Sequence, residues 1–333
     1  MKSVLRPTTP DDLSAVSEFL QRVFGAAANA PFTQSAVMHW KYWNARGDWP
    51  EPRAYVLERD GAITAHAGLW PLVVNGVRGV HMIDWASAPE APGAGLLMVQ
   101  KLAAMFDFII AIGGSDMTRA ILPAYGFAEH AQQWTGARPI HPLRQILTHQ
   151  HKNWKLIPRL GRNMMWSSGS SAPTGWIAEE IAPERVDDPA RLAPRSAEFF
   201  RYLLACPIAG VHFYQVREGG KARGHFVLSA IRGQARLAGL WLYETNPPSA
   251  RAAYLLAQAE ARKLADANEF TAAGSGTVTE QGARESGLHL LGEMTPVFLL
   301  NKKKNLALPP DFQFQLVEYD GFFLDAGGYC YLT

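Results

Sequence analysis

The sequence predicts an α/β (α+β) protein made of two consecutive units, each a mixed sheet flanked by helices. Three observations predict it. Apolar runs with strand spacing and with helix spacing alternate from Val4 to Phe127 in the order β-α-β-β-β-loop-α-β-α, and the same order returns in the second half. Three anchors recur in step: Trp85 with Trp241, Gly114-Ser115 with Gly274-Ser275, and Tyr125-Gly126-Phe127 with Ser286-Gly287-Leu288, at offsets of 156, 160 and 161 residues. Slowly drifting offsets in the same order are what duplication with small insertions leaves behind. The chain length of 333 residues fits this, since it exceeds one domain of about 100–200 residues.

Each element has a local reason. Val4-Leu5-Arg6-Pro7 reads as a strand stopped by proline, and Thr8 to Asp12 as a cap-rich turn. Leu13, Val16, Phe19, Leu20 and Val23 then fall on one helical face. Arg53–Leu57 and Ile63–Trp70 form a hairpin around Asp60-Gly61, which supplies the positive φ of a tight turn, and Val80–Ala86 is the next strand after Asn75-Gly76. The side-chain-poor loop Ala88–Gly95 runs into a helix-forming stretch, Leu96–Ala103. Phe106–Ile112 is apolar throughout, as in a strand covered on both faces, and Gly113–Asp116 opens a short helix ending at Tyr125-Gly126-Phe127. In the second half Val211–Val216, Gly224–Ile231 and Arg236–Glu244 are strands, followed by a helix from Ser249 to Asn268.

Composition excludes several classes. Apolar residues are 48% and charged residues 19%, so the chain is not intrinsically disordered. A net charge of +2 gives no reason to expect a nucleic-acid partner. Cys206 and Cys330 match no metal or disulfide spacing and read as two small residues in or near the core; no metal is expected. His149-Gln150-His151 lacks a third ligand of suitable spacing. The amino terminus has no signal-like apolar run and no stretch reaches about 18 apolar residues, so a cytoplasmic address is expected.

One segment is polarised. From Ala128 to Ala178 no acidic residue follows Glu129, whereas Arg138, Arg144, Lys152, Lys155, Arg159 and Arg162 are interleaved with Trp134, Trp154 and Trp166. It reads either as a peripheral contact for an anionic surface through residues 138–162, such as acidic glycan or lipid head groups, or as a solvated bridge whose aromatics pack over a domain seam. Lys302-Lys303-Lys304 reads as a turn. The expected division is therefore an N-terminal domain over 1–140, a basic connector over 141–180, and a degenerate C-terminal domain over 181–333.

A glycine-bearing loop between a strand and a helix start makes an anion site, because first-turn N–H groups lack partners and the helix dipole favours negative charge there. Gly93-Ala94-Gly95 before Leu96 meets that requirement. Together with the strand order and the terminal Gly126-Phe127, this loop resembles the GCN5-related N-acetyltransferase (GNAT) family. The resemblance covers about residues 1–140, with a degenerate copy over about 195–300, and implies tandem acyl-CoA N-acyltransferase-like domains. It implies acetyl-CoA or another acyl-CoA as co-substrate, with Trp85, Ala86 and Ser87 bordering pantetheine and Gly93, Ala94, Gly95 and Leu96 holding the pyrophosphate. Ser115, at the start of the next helix, joins this cofactor set.

The sequence departs from the family pattern at three places. Glu90 stands where the loop has Gln or Arg, and its charge opposes a pyrophosphate unless it points away. The second copy, Pro247-Pro248-Ser249-Ala250-Arg251, lacks both glycines. Leu122 stands at the family's frequent tyrosine, with Tyr125 displaced by three positions.

Acyl transfer needs a base for the nucleophile, an oxyanion donor and an acid for the leaving thiolate. Asp84 is the candidate base or, alternatively, a partner of a neighbouring strand or Arg; a main-chain N–H of its strand is the candidate oxyanion donor. Tyr125 is the candidate acid or a packing residue, and His66 and His81 are relay candidates or structural histidines. The expected function is an acetyltransferase moving an acyl group from acyl-CoA to an amine or hydroxyl of a small-molecule or glycan acceptor. The alternatives are an aminoacyl-tRNA-dependent transferase of the peptidoglycan-bridge type and a non-catalytic binding module. A fork between the strands at Asp84 and Ile110, with free N–H groups at Gly93–Leu96, is the structural feature that acyl-CoA binding requires.

Overall fold

The computed structural model describes residues 3–74, 76–150, 152–168, 171–186, 196–301, 306–308, 312–325 and 327–333; the expectations for Asn75, His151 and Lys302-Lys303-Lys304 lie outside these. The first half runs β1 (Val4–Pro7), α1 (Leu13–Phe24), α2 (Ser35–Met38), β2 (Ala54–Arg59), β3 (Ala62–Val74), β4 (Val77–Ser87), α3 (Ala94–Met105), β5 (Phe108–Ile112), α4 (Asp116–Ile121) and β6 (Ala128–Pro139). Then come α5 (Pro142–Thr148), α6 (Leu156–Ser167), β7 (Trp176–Glu180), α7 (Ala197–Leu204), β8 (Gly210–Glu218), β9 (Lys221–Ile231) and β10 (Gln234–Leu242). The chain continues through α8 (Pro247–Ala261), β11 (Glu269–Gly274), α9 (Thr277–Glu285), β12 (His289–Leu290) and β13 (Thr295–Leu300). Among the described residues no helix is long and apolar enough to cross a membrane.

The chain divides into two units. Unit 1 holds the residues up to 131 together with 296–309, and unit 2 holds most of the remainder, including α5 and α6. The sheet of unit 1 runs β1-β2-β3-β4-β5-β13, antiparallel except for the parallel pair β4–β5. The sheet of unit 2 runs β7-β8-β9-β10-β11-β6, antiparallel except for the parallel pair β10–β11, with β12 also on β6. The grouping differs from a sequential division at 140 and 181. Main-chain pairing decides membership, and it places Pro296–Leu300 on β5 and Trp134–Pro139 on β11.

The cores follow the apolar periodicity. In unit 1, Val16, Phe19 and Leu20 of α1 and Met98, Val99 and Leu102 of α3 share a buried cluster with Val80 and Met82 of β4. In unit 2, Ala253, Tyr254 and Ala257 of α8 pack with Phe226, Leu228, Leu237 and Phe270. Cys206 is buried, and burial pushes its thiol up to about 11. Cys330 is exposed, contrary to the expectation of a near-core residue. Arg138 is no surface cation: it is buried and donates to Gln258 Oε1 and the Ser286 carbonyl, both at 2.7 Å.

The strand from residues 295–300 makes a distinctive demand on unit 1. Val297 is fully buried opposite Ile112, so Val297→Asp should bury a carboxylate, cost several kcal/mol, and remove hydrogen-exchange protection from Phe108–Ile112, far away in sequence. Retained protection of β5 in that variant would refute the strand's assignment to unit 1.

Candidate functional site

The site in unit 1 is a fork between two parallel strands. β4 and β5 pair at Gly79↔Phe108, Val80↔Ile109 and His81↔Ile110, and there the register ends, three residues before Asp84. On its other side β4 stays paired to β3, but with a bulge between His66↔Ala86 and Gly68↔Ile83 that leaves Asp84 and Trp85 opposite the single residue Ala67. Asp84 sits in this bulge at φ +48°, a left-handed conformation that costs a non-glycine residue of order 1 kcal/mol or more.

Side chains hold that strained residue in place. A single π-helical turn, His39–Trp43, closed by the Asn44 N–H on the His39 carbonyl at 2.8 Å, presents Lys41 and Tyr42 inward. The Lys41 ammonium, 1% exposed, donates to Asp84 Oδ2 at 2.6 Å, and the Tyr42 hydroxyl donates to the same oxygen at 2.5 Å. Nδ1–H of the buried His66 donates to the Asp84 carbonyl at 3.0 Å. Burial alone would raise the Asp84 carboxyl, but the charge and hydrogen bond of Lys41, with the Tyr42 bond, overcome this and hold it below the usual carboxylate range. A carboxylate so held is a weak base. Of the two readings the sequence left open for Asp84, base or structural partner, the geometry favours the second, an anchor of the bulge.

The loop after β4 delivers the anion-binding geometry. Gly93, at φ +81°, precedes α3, and no hydrogen bond among the described residues takes up the N–H of Gly93, Gly95 or Leu96; that of Ala94 is spent on the Ala91 carbonyl. Gly95 packs closely under this wall: a Cβ there would lie 3.3 Å from Ser87 Oγ, which would have to give by a few tenths of an ångström, and at ordinary contact, 3.5 Å, from the Trp85 ring. Glu90 does point away, its carboxylate meeting Arg22 of α1 at 2.5 Å. Trp85 is half-buried, with its ring 6.2 Å from that of Tyr125, edge to face, and its Nε1 is buried without a partner among the described residues. Ala86 is buried and Ser87 exposed at the mouth. Ser115 spends its hydroxyl on the Thr118 N–H at 3.2 Å as the cap of α4, and Leu122 is fully buried.

Unit 2 has the corresponding fork, and it is filled. β10 and β11 pair as far as Leu237↔Ala272, and β10 then bulges at Leu237/Gly239. Beyond that point the Leu240 N–H donates to Gln315 Oε1, and Gln315 Nε2 donates back to the Leu240 carbonyl at 3.1 Å. Ser275 Oγ fixes the same segment, donating to the Phe312 carbonyl and accepting from the Phe314 N–H, each at 2.9 Å. The space left between Leu237, Tyr254, Gly274 and Gln315 is about 10 Å³, barely the room of one water.

No protein-family model matches the sequence, and no curated protein matches it. Solved structures do. A tandem GNAT protein from the clavulanic acid biosynthesis pathway superposes with a TM-score of 0.58 at 12% identity, over 90% of this chain and 98% of that one. The GCN5-related N-acetyltransferase of Anabaena variabilis gives 0.57 at 10% identity, over 90% and 73%. Saccharomyces cerevisiae N-myristoyltransferase, solved with bound myristoyl-CoA, gives 0.57 at 12% identity, over 90% and 79%. The chain has a tandem GNAT fold.

Within this GNAT fold the two histidines of the fork are structural. His66 serves the Asp84 carbonyl, while His81 Nε2 accepts the Ile112 N–H at 3.3 Å where β5 leaves β4. Both are buried, and burial lowers them, His66 to about 4 and His81 to about 3. The sequence reading missed Lys41 and Tyr42, although a lysine among the aromatics of His-Trp-Lys-Tyr-Trp marks a cation in an apolar setting. It also missed Gln315, whose only signal is a pair of glutamines in an apolar segment.

Two outcomes follow for this GNAT-fold site. Lys41→Met leaves the Asp84 carboxylate buried and unpaired and should destabilise the protein by about 3–5 kcal/mol in urea unfolding, with Lys41→Met/Asp84→Asn recovering part of the loss. A double-variant loss equal to the sum of the Lys41→Met and Asp84→Asn losses would show that the pair does not couple. As to pH, the unfolded chain protonates both histidines below about 6.5, whereas the folded chain resists until about 4 for His66 and about 3 for His81. The unfolded state then binds more protons, so stability falls as pH falls from 7 to 5, by about 2 kcal/mol per histidine. Asp84, lowered from its usual range, adds its loss only at more acidic pH. His66→Gln and His81→Gln should flatten the slope between pH 7 and 5; an unchanged slope would contradict this account.

Proposed function

We propose that unit 1 binds an acyl-CoA and transfers its acyl group to an amine or hydroxyl of a small-molecule or glycan acceptor. The observation that carries this reading is the fork. β4 leaves β5 just before a bulge fixed by a buried ion pair, and the free N–H groups of Gly93, Gly95 and Leu96 open beside the released strand. These N–H groups would take the pyrophosphate, Trp85 Nε1 offers a buried donor in search of an acceptor, and Gly95 keeps the approach to Ser87 and Trp85 clear. The acyl-CoA, when bound, supplies the acyl group as an activated thioester.

The chain's own residues divide the remaining tasks. Asp84 keeps its shape-holding role and leaves proton removal to solvent or to the acceptor itself. Tyr125, in edge-to-face contact with Trp85, brings a hydroxyl to this region as the acid for the leaving thiolate. Unit 2, whose fork is closed by Gln315, serves without a cofactor of its own. The structurally similar N-myristoyltransferase carries myristoyl-CoA, so donors of different chain length belong in the test. An acyl-CoA donor and free thiols fit a cytoplasmic address.

Calorimetry of the full chain with acetyl-CoA and long-chain acyl-CoA should show binding. Gly95→Val should weaken it by about tenfold or more in a variant whose circular dichroism shows that it still folds, and Tyr125→Phe should lower turnover by about a hundredfold without weakening binding. Absence of heat with every acyl-CoA would overturn the proposal. Binding that Gly95→Val leaves intact would move the site away from this loop.

A further inference from the structure

We infer that the outer face of α5 and α6 docks on an anionic lipid bilayer. These helices reverse the usual arrangement of an amphipathic helix. The face of α6 turned into unit 2 carries Arg159 and the fully buried Asn163, which donates to Gln145 Oε1 of α5 at 2.8 Å, while Arg159 donates to the Tyr331 carbonyl at 2.9 Å. The face turned outward is apolar: Trp154 is 74% exposed, Ile157 77% and Met165 69%, with Met164 beside them and Leu143 and Leu147 exposed on α5. The spacing 154, 157, 161, 164 and 165 keeps these residues on one stripe, in which position 161 is glycine. A contiguous apolar face of this kind marks an interaction surface rather than ordinary scatter.

The charges around it say what it meets. Across the described residues Arg6, Arg22, Arg78, Arg119, Arg201 and Arg284 each pair with a carboxylate. Arg144, Lys152, Lys155 and Arg162 instead make no ion pair there, in a stretch whose sequence holds no acidic residue between Glu129 and Glu179. Their hydrogen bonds run to neutral acceptors: Arg144 to the Ala265 carbonyl, Lys152 to the Ile146 and Leu147 carbonyls, and Arg162 to Asn163 Oδ1. Lys155, Pro158, Arg159, Arg162 and Leu332 line a shallow, open hollow of about 490 Å³ beside this face. Apolar side chains ringed by uncompensated cations match the two layers of an anionic membrane surface, acyl boundary inside and phosphate outside. The surface lies wholly on unit 2 and is independent of the acyl-CoA reading.

The test is sedimentation of the full chain with phosphatidylcholine vesicles, alone and mixed with phosphatidylglycerol, at low and high salt. The chain should co-sediment with the anionic vesicles only, less so at high salt. Trp154→Ser/Ile157→Ser/Met165→Ser and, separately, Lys152→Glu/Lys155→Glu should each weaken partitioning about tenfold or more. Trp154, Ile157 and Met165 are exposed, so the melting temperature of the triple serine variant should not move. A chain left in solution with anionic vesicles, equal binding to neutral vesicles, or undiminished binding by either variant would overturn the inference. So would light scattering that shows a dimer dissolved by the triple serine variant, since the face would then belong to a second copy of the chain.

Discussion

The site rests on one buried ion pair. A parallel pair of strands has no intrinsic reason to separate after three residues, because every residue of further pairing would satisfy main-chain groups on both. What stops β4 is the left-handed turn at Asp84, and what makes that turn affordable is the Lys41 ammonium and Tyr42 hydroxyl on its carboxylate, with His66 on its carbonyl. The π-helical turn at His39–Trp43 matters for the same reason: its extra residue carries Lys41 and Tyr42 side by side toward the bulge. Strain, ion pair and irregular helix are therefore one device. Its chemistry also explains why the one acidic residue on β4 is spent. A carboxylate that neutralises a buried ammonium cannot also serve as a strong base, since taking up a proton would leave Lys41 charged and alone.

Unit 2 shows what a released strand does when nothing else is offered to it. The main-chain N–H and carbonyl of Leu240, past the β10 bulge, would be left without ladder partners in a buried setting, which costs free energy comparable to lost hydrogen bonds. A primary amide carries both a donor and an acceptor, and Gln315 answers both groups at once. Gln133, donating to the Phe314 carbonyl at 2.9 Å, and Ser275 then lock the flanking segment. The stretch of β4 past its own bulge, by contrast, is paired to β3 alone among the described strands. The asymmetry between the two forks is thus written in chemistry as well as in the missing glycines of the loop before α8.

Much of this was legible in the sequence because it is local. The helix face of α1, the hairpin at Asp60-Gly61, the glycine loop before α3 and Gly126 ending its helical turn each follow from residues a few positions apart, and the structure places them where the pattern does. What escaped depends on partners far away in sequence. Asp84 reads the same on a strand whether it faces solvent, an arginine or a lysine 43 residues earlier. Gln315 meets Leu240 across 75 residues, and periodicity carries no trace of that. Arg138 looked like a member of a basic surface because composition counts charges without saying which are buried. Arg144, Lys152, Lys155 and Arg162 keep that character, since none of them forms an ion pair among the described residues, whereas Arg159 turns inward to the Tyr331 carbonyl.

The same distinction governs how the sheets can assemble. β4 and β5 are close in sequence, so the fork is cheap to form early. The neighbour of β5 on its other side is β13, and the neighbour of β11 is β6, so each sheet is completed by a strand from the opposite half of the chain. Closing such loops costs entropy that grows only slowly with length, but it must be met before the contacts repay it, which slows folding more than it weakens the folded state. A chain emerging in order therefore exposes β5 with one edge unpaired until residues near 300 are available. That edge is apolar throughout, Phe108-Ile109-Ile110-Ala111-Ile112, with no charge or proline to blunt it. The arrangement makes the two halves of the sequence interdependent in a way that a simple duplication is not. Neither half, cut at the boundary that composition suggests, would carry every strand of its own sheet.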